Sequence, residues 1–329
     1  MHKKVLLENL KDNFTDNNYV LMVGLGFDSR CLSALNNFPS DRAVQVTGIL
    51  NAGWSTSNQA NADSFVEKLG ATGTVIGYGA QSVLEIADRL IEFVNPLIEC
   101  PEKSLVIDIT SFSHELLVVL LGVLHNVQLL SRSTLLYVGA SEYSYNSPGD
   151  AVWLSRGVRS IRSILGFPGM MLPSKKLHLI VLAGFEVERA AEVIVRYEPA
   201  SISIGLGHKE QSISEGHHEK NKYFVDRLNN FVKEQDTGNQ EIHHFTFSCI
   251  DPMIVKNQLL AHIDSLENCK DRNIVICPLN TKLSTVGVVL AAIERPEIQI
   301  CYAEPDEYNT EGYSKPGAEI TIVSMLDPS

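Results

Sequence analysis

Short apolar runs alternate along this chain with longer stretches of helical period. Tyr19-Val20-Leu21-Met22-Val23 is one such run, and it stops at Gly24-Leu25-Gly26. That profile predicts a buried parallel strand entering a tight turn. Further strands are predicted at residues 44–50, 74–76, 105–107 and 134–138, with helices over 28–38, 58–69, 81–93 and 113–124 between them. A short amphipathic helix is predicted over 3–13. Strands alternating with helices of this length imply right-handed βαβ crossovers and a parallel sheet with helices on both faces.

The pattern then restarts. Strands are predicted at 177–182, 201–204, 243–247, 273–276 and 298–302, and helices at 187–197, 222–234, 252–266 and 281–293. Residues 208–221 are polar and read as a loop, and 319–324 as a closing edge strand. Between the halves, residues 153–165 carry Arg156, Arg159 and Arg162 at spacing three, with Val158, Ile161 and Leu165 on another face. This reads as an amphipathic linker helix with a basic stripe, either a solvated face or a positive wall beside an interdomain cleft.

Three segments of the first half recur in order in the second. Val23-Gly24-Leu25-Gly26-Phe27-Asp28 matches Val181-Leu182-Ala183-Gly184-Phe185-Glu186, with Arg30 and Arg189 following. Asp108-Ile109-Thr110-Ser111 matches Pro278-Leu279-Asn280-Thr281. Tyr137-Val138-Gly139-Ala140-Ser141-Glu142-Tyr143 lies without a gap over Tyr302-Ala303-Glu304-Pro305-Asp306-Glu307-Tyr308, and a Pro-Gly pair follows each, Pro148-Gly149 and Pro316-Gly317. The expected fold is therefore α/β: two tandem Rossmann-like units with parallel sheets and a pseudo-two-fold internal repeat. The units are expected at 1–150 and 177–329, with the linker helix within 151–176.

Composition narrows the function. The chain has 329 residues, 44% of them hydrophobic, and a net charge of −12. That supports real cores and argues against a duplex nucleic-acid partner, which needs a basic surface. It leaves room for a small anion in a local basic pocket. The start of the chain lacks the apolar core of a signal peptide, and the longest apolar run, 116–124, is too short to span a bilayer. A cytoplasmic protein without membrane association is expected. The six cysteines form no CxxC pair and read as reduced thiols. There is no HExxH motif and no Cys/His quartet, so no metal site is expected.

The glycine turn at 24–29 is a poor dinucleotide fingerprint. It lacks the third glycine, and the second strand ends in Leu50-Asn51 rather than in an acid for a ribose. Standard NAD binding is not expected, and no cofactor is assigned. Asp28 and Arg30, or Glu186 and Arg189, either satisfy local helix ends or face a cleft and hold a polar ligand. Thr110 and Ser111, and likewise Asn280, Thr281 and Lys282, lie between a strand end and a helix start. Hydroxyls there cap orphan N–H groups or cradle a phosphate. Lys282 adds charge, which makes this the best small-anion site in the chain. The repeated Tyr143 and Tyr308 either stack on a base or pack between elements.

These Gly-Phe-acid and (Asp/Asn)-x-Thr loops resemble those of the CARF (CRISPR-associated Rossmann fold) and SAVED sensor domains. Those families bind cyclic oligonucleotides at strand-end loops, and SAVED domains hold two CARF-like units in one chain. Both copies here lack the glycine pair typical of the CARF ligand loop. The resemblance implies a nucleotide or cyclic-oligonucleotide sensor of antiviral defence. It would take its ligand between the units through Gly26, Asp28, Arg30, Thr110, Ser111, Tyr143, Glu186, Arg189, Asn280, Thr281, Lys282 and Tyr308. Because no nuclease, protease or membrane effector is recognisable in these 329 residues, it also implies a separate effector protein as partner. The alternative is a transferase or hydrolase acting on a nucleotide or sugar phosphate, with Asp28, Asp108, Glu186 or Asp251 as general acid or base. No catalytic residue is assigned.

Overall fold

The structure, a computed structural model, describes residues 2–51, 56–70, 73–143, 154–235, 241–310 and 313–326. The chain forms two compact units. The first comprises Met1–Val152 and Thr310–Ser329, the second Trp153–Asn309.

In the first unit the strands are β1 (His2–Leu6), β2 (Tyr19–Leu25), β3 (Ala43–Leu50), β4 (Gly73–Ile76), β5 (Ser104–Asp108), β6 (Ser133–Tyr143) and, from the chain's end, β15 (Ser314–Ser324). Its helices are α1 (Ser33–Asn37), α2 (Thr56–Leu69), α3 (Val83–Ile98) and α4 (His114–Asn126). The sheet runs β4-β3-β2-β5-β6-β15-β1. Strands β2 to β6 are parallel, and β15 is antiparallel to both β6 and β1. Alternate residues of β2 face opposite ways. Leu21, Val23 and Leu25 pack in a core with Leu35, Phe38 and Phe65 of α1, α2 and their flanks. Val20 lies on the other face, where it shares a small cavity wall with Leu97 of α3.

In the second unit the strands are β7 (Ser155–Arg156), β8 (Ser160–Pro168), β9 (Lys176–Leu182), β10 (Ser201–Gly207), β11 (Glu241–Phe247), β12 (Arg272–Pro278), β13 (Gln299–Glu304) and β14 (Glu307–Tyr308). The helices are α5 (Val187–Tyr197), α6 (Glu215–Gln235), α7 (Pro252–Ser265) and α8 (Lys282–Glu294). The main sheet runs β11-β10-β9-β12-β13-β8, and β7 pairs with β14 as a ribbon. Only β8 is antiparallel in the main sheet. Leu179, Val181, Ile202 and Ile204 meet α5 and α6 through Val193, Ile194, Val225 and Leu228. Both sheets thus share one order. The first parallel strand is central, the second and third lie to one side, the fourth and fifth to the other, and an antiparallel strand borders the fifth.

The α/β, mostly parallel architecture is the expected one, but five segments differ from the sequence reading. The helix expected over 28–38 is confined to Ser33–Asn37, because residues 28–32 form a bend and turns around the buried Asp28–Arg30 pair. Residues 3–13 form β1 and a 3-10 helix at Leu7–Asn13 rather than one helix. The partner of β1 is β15, some 300 residues away, which no local pattern reveals. The linker helix is absent: residues 160–168 form β8, antiparallel to β13, between left-handed glycines at Gly157 and Gly169 and with a third, Gly166, inside it. The closing strand begins at Ser314, belongs to the first unit and lies inside its sheet, not at the edge. Finally, α6 starts at Glu215, within the stretch read as loop. Its buried stripe includes His217, His218 and Asn221 as well as Val225, Leu228 and Val232, so hydropathy hides its period. Pro148-Gly149 and the start of the expected linker helix at residue 153 lie outside the described residues, as does the side chain of Tyr143.

Candidate functional site at the strand ends

Parallel strands deliver their following loops to one edge of a sheet, and ligands of open α/β sheets bind there, where the strand order reverses. In the first unit this place lies between β2 and β5, in the second between β9 and β12. In both units a glycine closes it. A Cβ at Gly26 would sit 2.5 Å from the Ser111 carbonyl oxygen, and one at Gly184 would collide with the Leu279 carbonyl. The glycines therefore serve close loop packing and leave no seat for a pyrophosphate between them.

The acid–arginine pairs are clasps. Arg30 holds Asp28 through Nη2 to Oδ2 at 2.6 Å and Nε to both oxygens at 3.1 Å. Ser314 Oγ donates to Asp28 Oδ1 at 2.7 Å, and Arg30 Nη1 donates to the Val138 carbonyl at 3.0 Å. Burial alone would raise the Asp28 carboxyl, but the Arg30 charge and these hydrogen bonds hold it below its ordinary value. In the second unit Arg189 Nη1 meets Glu186 Oε2 at 2.7 Å, and Ser155 donates to Glu186 Oε1. Arg189 donates twice to the Ala303 carbonyl, through Nε at 3.0 Å and Nη2 at 2.5 Å. Its guanidinium lies 5.5 Å from the Tyr302 ring centre, and the Tyr302 and Tyr308 hydroxyls are 3.1 Å apart. All four members of the two pairs have their charges met inside the protein.

The second pair of loops is also largely committed. Thr110 donates through N at 3.0 Å and Oγ1 at 2.5 Å to Asp108 Oδ1, and its Oγ1 accepts from Val138 N. Ser111 is buried, and its carbonyl accepts from Asn51 Nδ2 at 2.9 Å. Asn280 Nδ2 donates to Ala183 O at 2.6 Å, and its Oδ1 accepts from Thr281 N. Thr281 caps α8, accepting from Ser284 N at 3.1 Å and donating to Cys249 O at 2.8 Å. Lys282 is the first residue of α8 and half-buried. Tyr143 ends β6, its backbone opposite Ser314. Of the acids considered for catalysis, Asp251 caps α7, accepting from Met253 N and Ile254 N.

Several buried polar atoms have no hydrogen-bond partner among the described residues, Ser111 Oγ among them, and two further groups lie near these loops. In the first unit Asp108 is buried and its Oδ2 has no hydrogen-bond partner among the described residues. Burial pushes its carboxyl up to about 7, against the pull of the Thr110 hydrogen bonds. In the second unit the segment after β10 contains three such atoms: His208 Nδ1, Gln211 Oε1 and His217 Nδ1. His217 is 6% exposed, and burial, then the neighbouring His218, lowers it to about 4. Its ring meets Phe185 edge-on at 4.9 Å, so the segment reaches the Gly-Phe-acid loop.

Sequence reasoning missed these three residues, because they fall in a stretch read as loop. It also missed three asparagines that tie the loops together. Asn51 donates to Ser111 O and Leu25 O and accepts from Ser113 N. Asn61 of α2 donates to Gly26 O at 2.6 Å. Asn221 of α6 donates to Ala183 O and Gly184 O and accepts from Gly207 N. Among the described residues no group of three His, Cys, Asp or Glu is placed to hold a metal ion, and no helix is long and apolar enough to cross a membrane.

No family model matches the chain, and no curated protein does. Among solved structures it is similar to a Type III CRISPR defence DNA nuclease activated by cyclic oligoadenylate, at a TM-score of 0.49 and 8% sequence identity. The match covers 83% of this chain and 63% of that one, so the chain spans less than two thirds of the nuclease's length.

Proposed function

We propose that the protein binds a nucleotide, which includes cyclic oligonucleotides, and that the second unit's strand-end edge makes the decisive contacts. One observation carries this reading: His217, buried and neutral, keeps Nδ1 unpartnered beside the Phe185 ring, with His208 Nδ1 and Gln211 Oε1 on the same segment. Neutral donors and acceptors beside an aromatic ring suit the edge and face of a heteroaromatic base. Lys282 at the first turn of α8 suits the phosphate, since that helix end favours an anion. A separate effector protein as partner belongs to the same proposal. We also infer that the two units descend from one duplicated unit, because an acid at the matched position, Asp28 or Glu186, is clasped in each by an arginine that follows it, Arg30 or Arg189, offset by one place.

The test is a thermal-shift panel of mono-, di- and cyclic oligonucleotides with inorganic phosphate as control, followed by calorimetry. A nucleotide should bind. Lys282→Ala should weaken it by about 1–3 kcal/mol, the scale of a charge-assisted hydrogen bond, and His217→Ala by a similar amount. Binding unchanged in both variants would remove the second unit's edge from the site.

A second reading rests on Asp108. A buried carboxyl titrating at about 7 with one oxygen unpartnered has the properties of a general acid or base. It favours a transferase or hydrolase acting on a nucleotide or sugar phosphate. Turnover of a bound nucleotide that Asp108→Asn abolishes, with binding retained, would establish it.

A further inference from the structure

At the opposite end of the second unit, on the sheet face away from α5 and α6, lies a chain of polar side chains. Strand register places His178 of β9 beside Ser201 of β10, and Ser203 of β10 beside His243 of β11. His178 Nδ1 is 2.6 Å from Ser201 Oγ, and its Nε2 is 2.8 Å from Ser203 Oγ. Ser203 Oγ is also 2.7 Å from Nε2 of His262, which α7 lowers onto the sheet. The His262 ring stacks on Phe245 at 4.4 Å. At the other end Arg272 of β12 donates to Ser201 Oγ and pairs with Glu241 of β11 at 2.8 Å. His178 and Ser203 are 0% exposed and Ser201 is 1% exposed.

Donor arithmetic gives this chain a direction. Arginine only donates. Ser201 therefore accepts from Arg272, and the arrangement that leaves no hydroxyl proton unmatched has it donate to His178 Nδ1. His178 then carries its proton on Nε2 and donates to Ser203, and Ser203 donates to His262 Nε2. Each hydroxyl proton and each inward ring nitrogen is used once. A proton added at His262 Nε2 or His178 Nδ1 reverses part of the chain and strands the Ser201 proton beside the Arg272 cation. An unsatisfied buried donor is costly.

We propose that the Arg272–Ser201–His178–Ser203–His262 chain is an acid-sensitive latch, which clamps α7 to the sheet at neutral pH and releases it as pH falls. Every titratable group around His178 opposes its protonation or lies too far out to prevent the effect. Burial is the largest influence, followed by Arg272, His243 and His262, with only the exposed Glu241 pulling the other way, and His178 falls to about 3. His262 falls to about 4 by burial, then by His243. The clamped helix reaches the proposed ligand edge: its cap, Asp251, lies two residues beyond Cys249, and the Cys249 carbonyl accepts from Thr281. Release of α7 would thus loosen the loop between β11 and α7.

The sign follows from linkage. The clamped state holds its histidines neutral, and the opened state protonates them at their ordinary value near 6.5. One such histidine raises the opened population about 30-fold between roughly pH 7.5 and pH 5. Hydrogen exchange of the whole protein at these two pH values, corrected for intrinsic rates, reads this directly. Amides of residues 252–265 should lose protection at least tenfold on acidification, while α5 on the opposite face stays within about threefold. His262→Gln, which keeps an acceptor towards Ser203 but cannot titrate, should reduce the response of α7 to the share that His178 alone supplies. If α7 keeps its protection at the lower pH, or loses it together with α5, there is no latch. If His262→Gln leaves the response intact, the chain is not its cause. Should that variant fail to fold, the contrast between α7 and α5 in the unaltered protein still decides.

Discussion

The two units build the same clasp from different residues and then part company one loop later. In the first, Arg30 ties Asp28 to the Val138 carbonyl of β6, and in the second Arg189 ties Glu186 to the Ala303 carbonyl of β13. The ungapped match of Tyr137 with Tyr302 places Val138 opposite Ala303, so each arginine reaches the same position of its unit's fifth strand. A serine from outside the matched segments, Ser314 or Ser155, completes each acid. The next loop shows the contrast. The first unit has Asp108 at the end of its fourth strand, and the second has Pro278 at the matched position. One edge therefore buries a carboxyl with an unpartnered oxygen, and the other buries imidazole nitrogens and an amide oxygen without partners among the described residues. A shared frame with unlike strand ends is what divergent roles for two copies would produce.

The largest test of the comparison is the clasp. Arg30→Ala and Arg189→Ala each leave a buried carboxylate without its cation, so each should cost about 3–5 kcal/mol in its own unit. Urea denaturation with hydrogen exchange assigns the loss to a unit. A large loss in one unit and almost none in the other would mean that only one clasp is structural and would open the other to a ligand.

Asp108 gives the sharpest difference between the units. Its folded value, about 7, lies above the ordinary carboxyl value of 3.8. The protonated folded form therefore supports stability fully below about pH 4, and that support fades as pH rises through about 7. Asp108→Asn keeps an acceptor for both Thr110 donors and abolishes the charge. It should stabilise the first unit by about 1–3 kcal/mol at pH 8 and change little at pH 4. The second unit, with proline there, should show no counterpart, but its buried His178 bends the curve the other way. Held near 3 when folded and near 6.5 when unfolded, His178 costs stability as pH falls from 6.5 towards 3. The first unit should thus gain, and the second lose, on mild acidification. Parallel pH profiles of the two units would contradict both assignments.

Much of this frame is legible in the sequence, because apolar runs ending in glycine mark parallel strands and spaced apolar stripes mark their helices. The recurring acid and arginine are legible too. What the sequence conceals is their direction: Asp28 and Arg30 turn towards each other and the fifth strand, because both are buried and a buried charge must be met nearby. The strand β1 and the inner position of β15 depend on pairing across the length of the chain. The site segment at 208–217 is hidden by its own chemistry. A helix whose buried stripe contains His217, His218 and Asn221 has no hydropathic period at its start.

The smallest expected effect concerns the asparagines that brace the glycine turns, and it tests whether the units also share their secondary supports. In each unit the helix after the second parallel strand sends an asparagine to the carbonyls of the glycine turn. Asn61 reaches Gly26 O at 2.6 Å and Asp28 O at 3.4 Å. Asn221 reaches Ala183 O at 2.8 Å and Gly184 O at 3.2 Å, and it also accepts from Gly207 N at 2.8 Å. Asn221 is 0% exposed, whereas the bonds of Asn61 are only partly buried. Water can replace a lost partner at the first turn more readily than at the second. Asn221→Ala should therefore cost about 2 kcal/mol, for a buried amide donor left unmet, and Asn61→Ala about 1 kcal/mol. Midpoints of urea denaturation for the two variants, assigned to their units by exchange, give the comparison. Equal losses would mean that solvent does not reach the first turn. A larger loss at Asn61 would invert the order that burial dictates, and the first unit would then be the more tightly braced of the two.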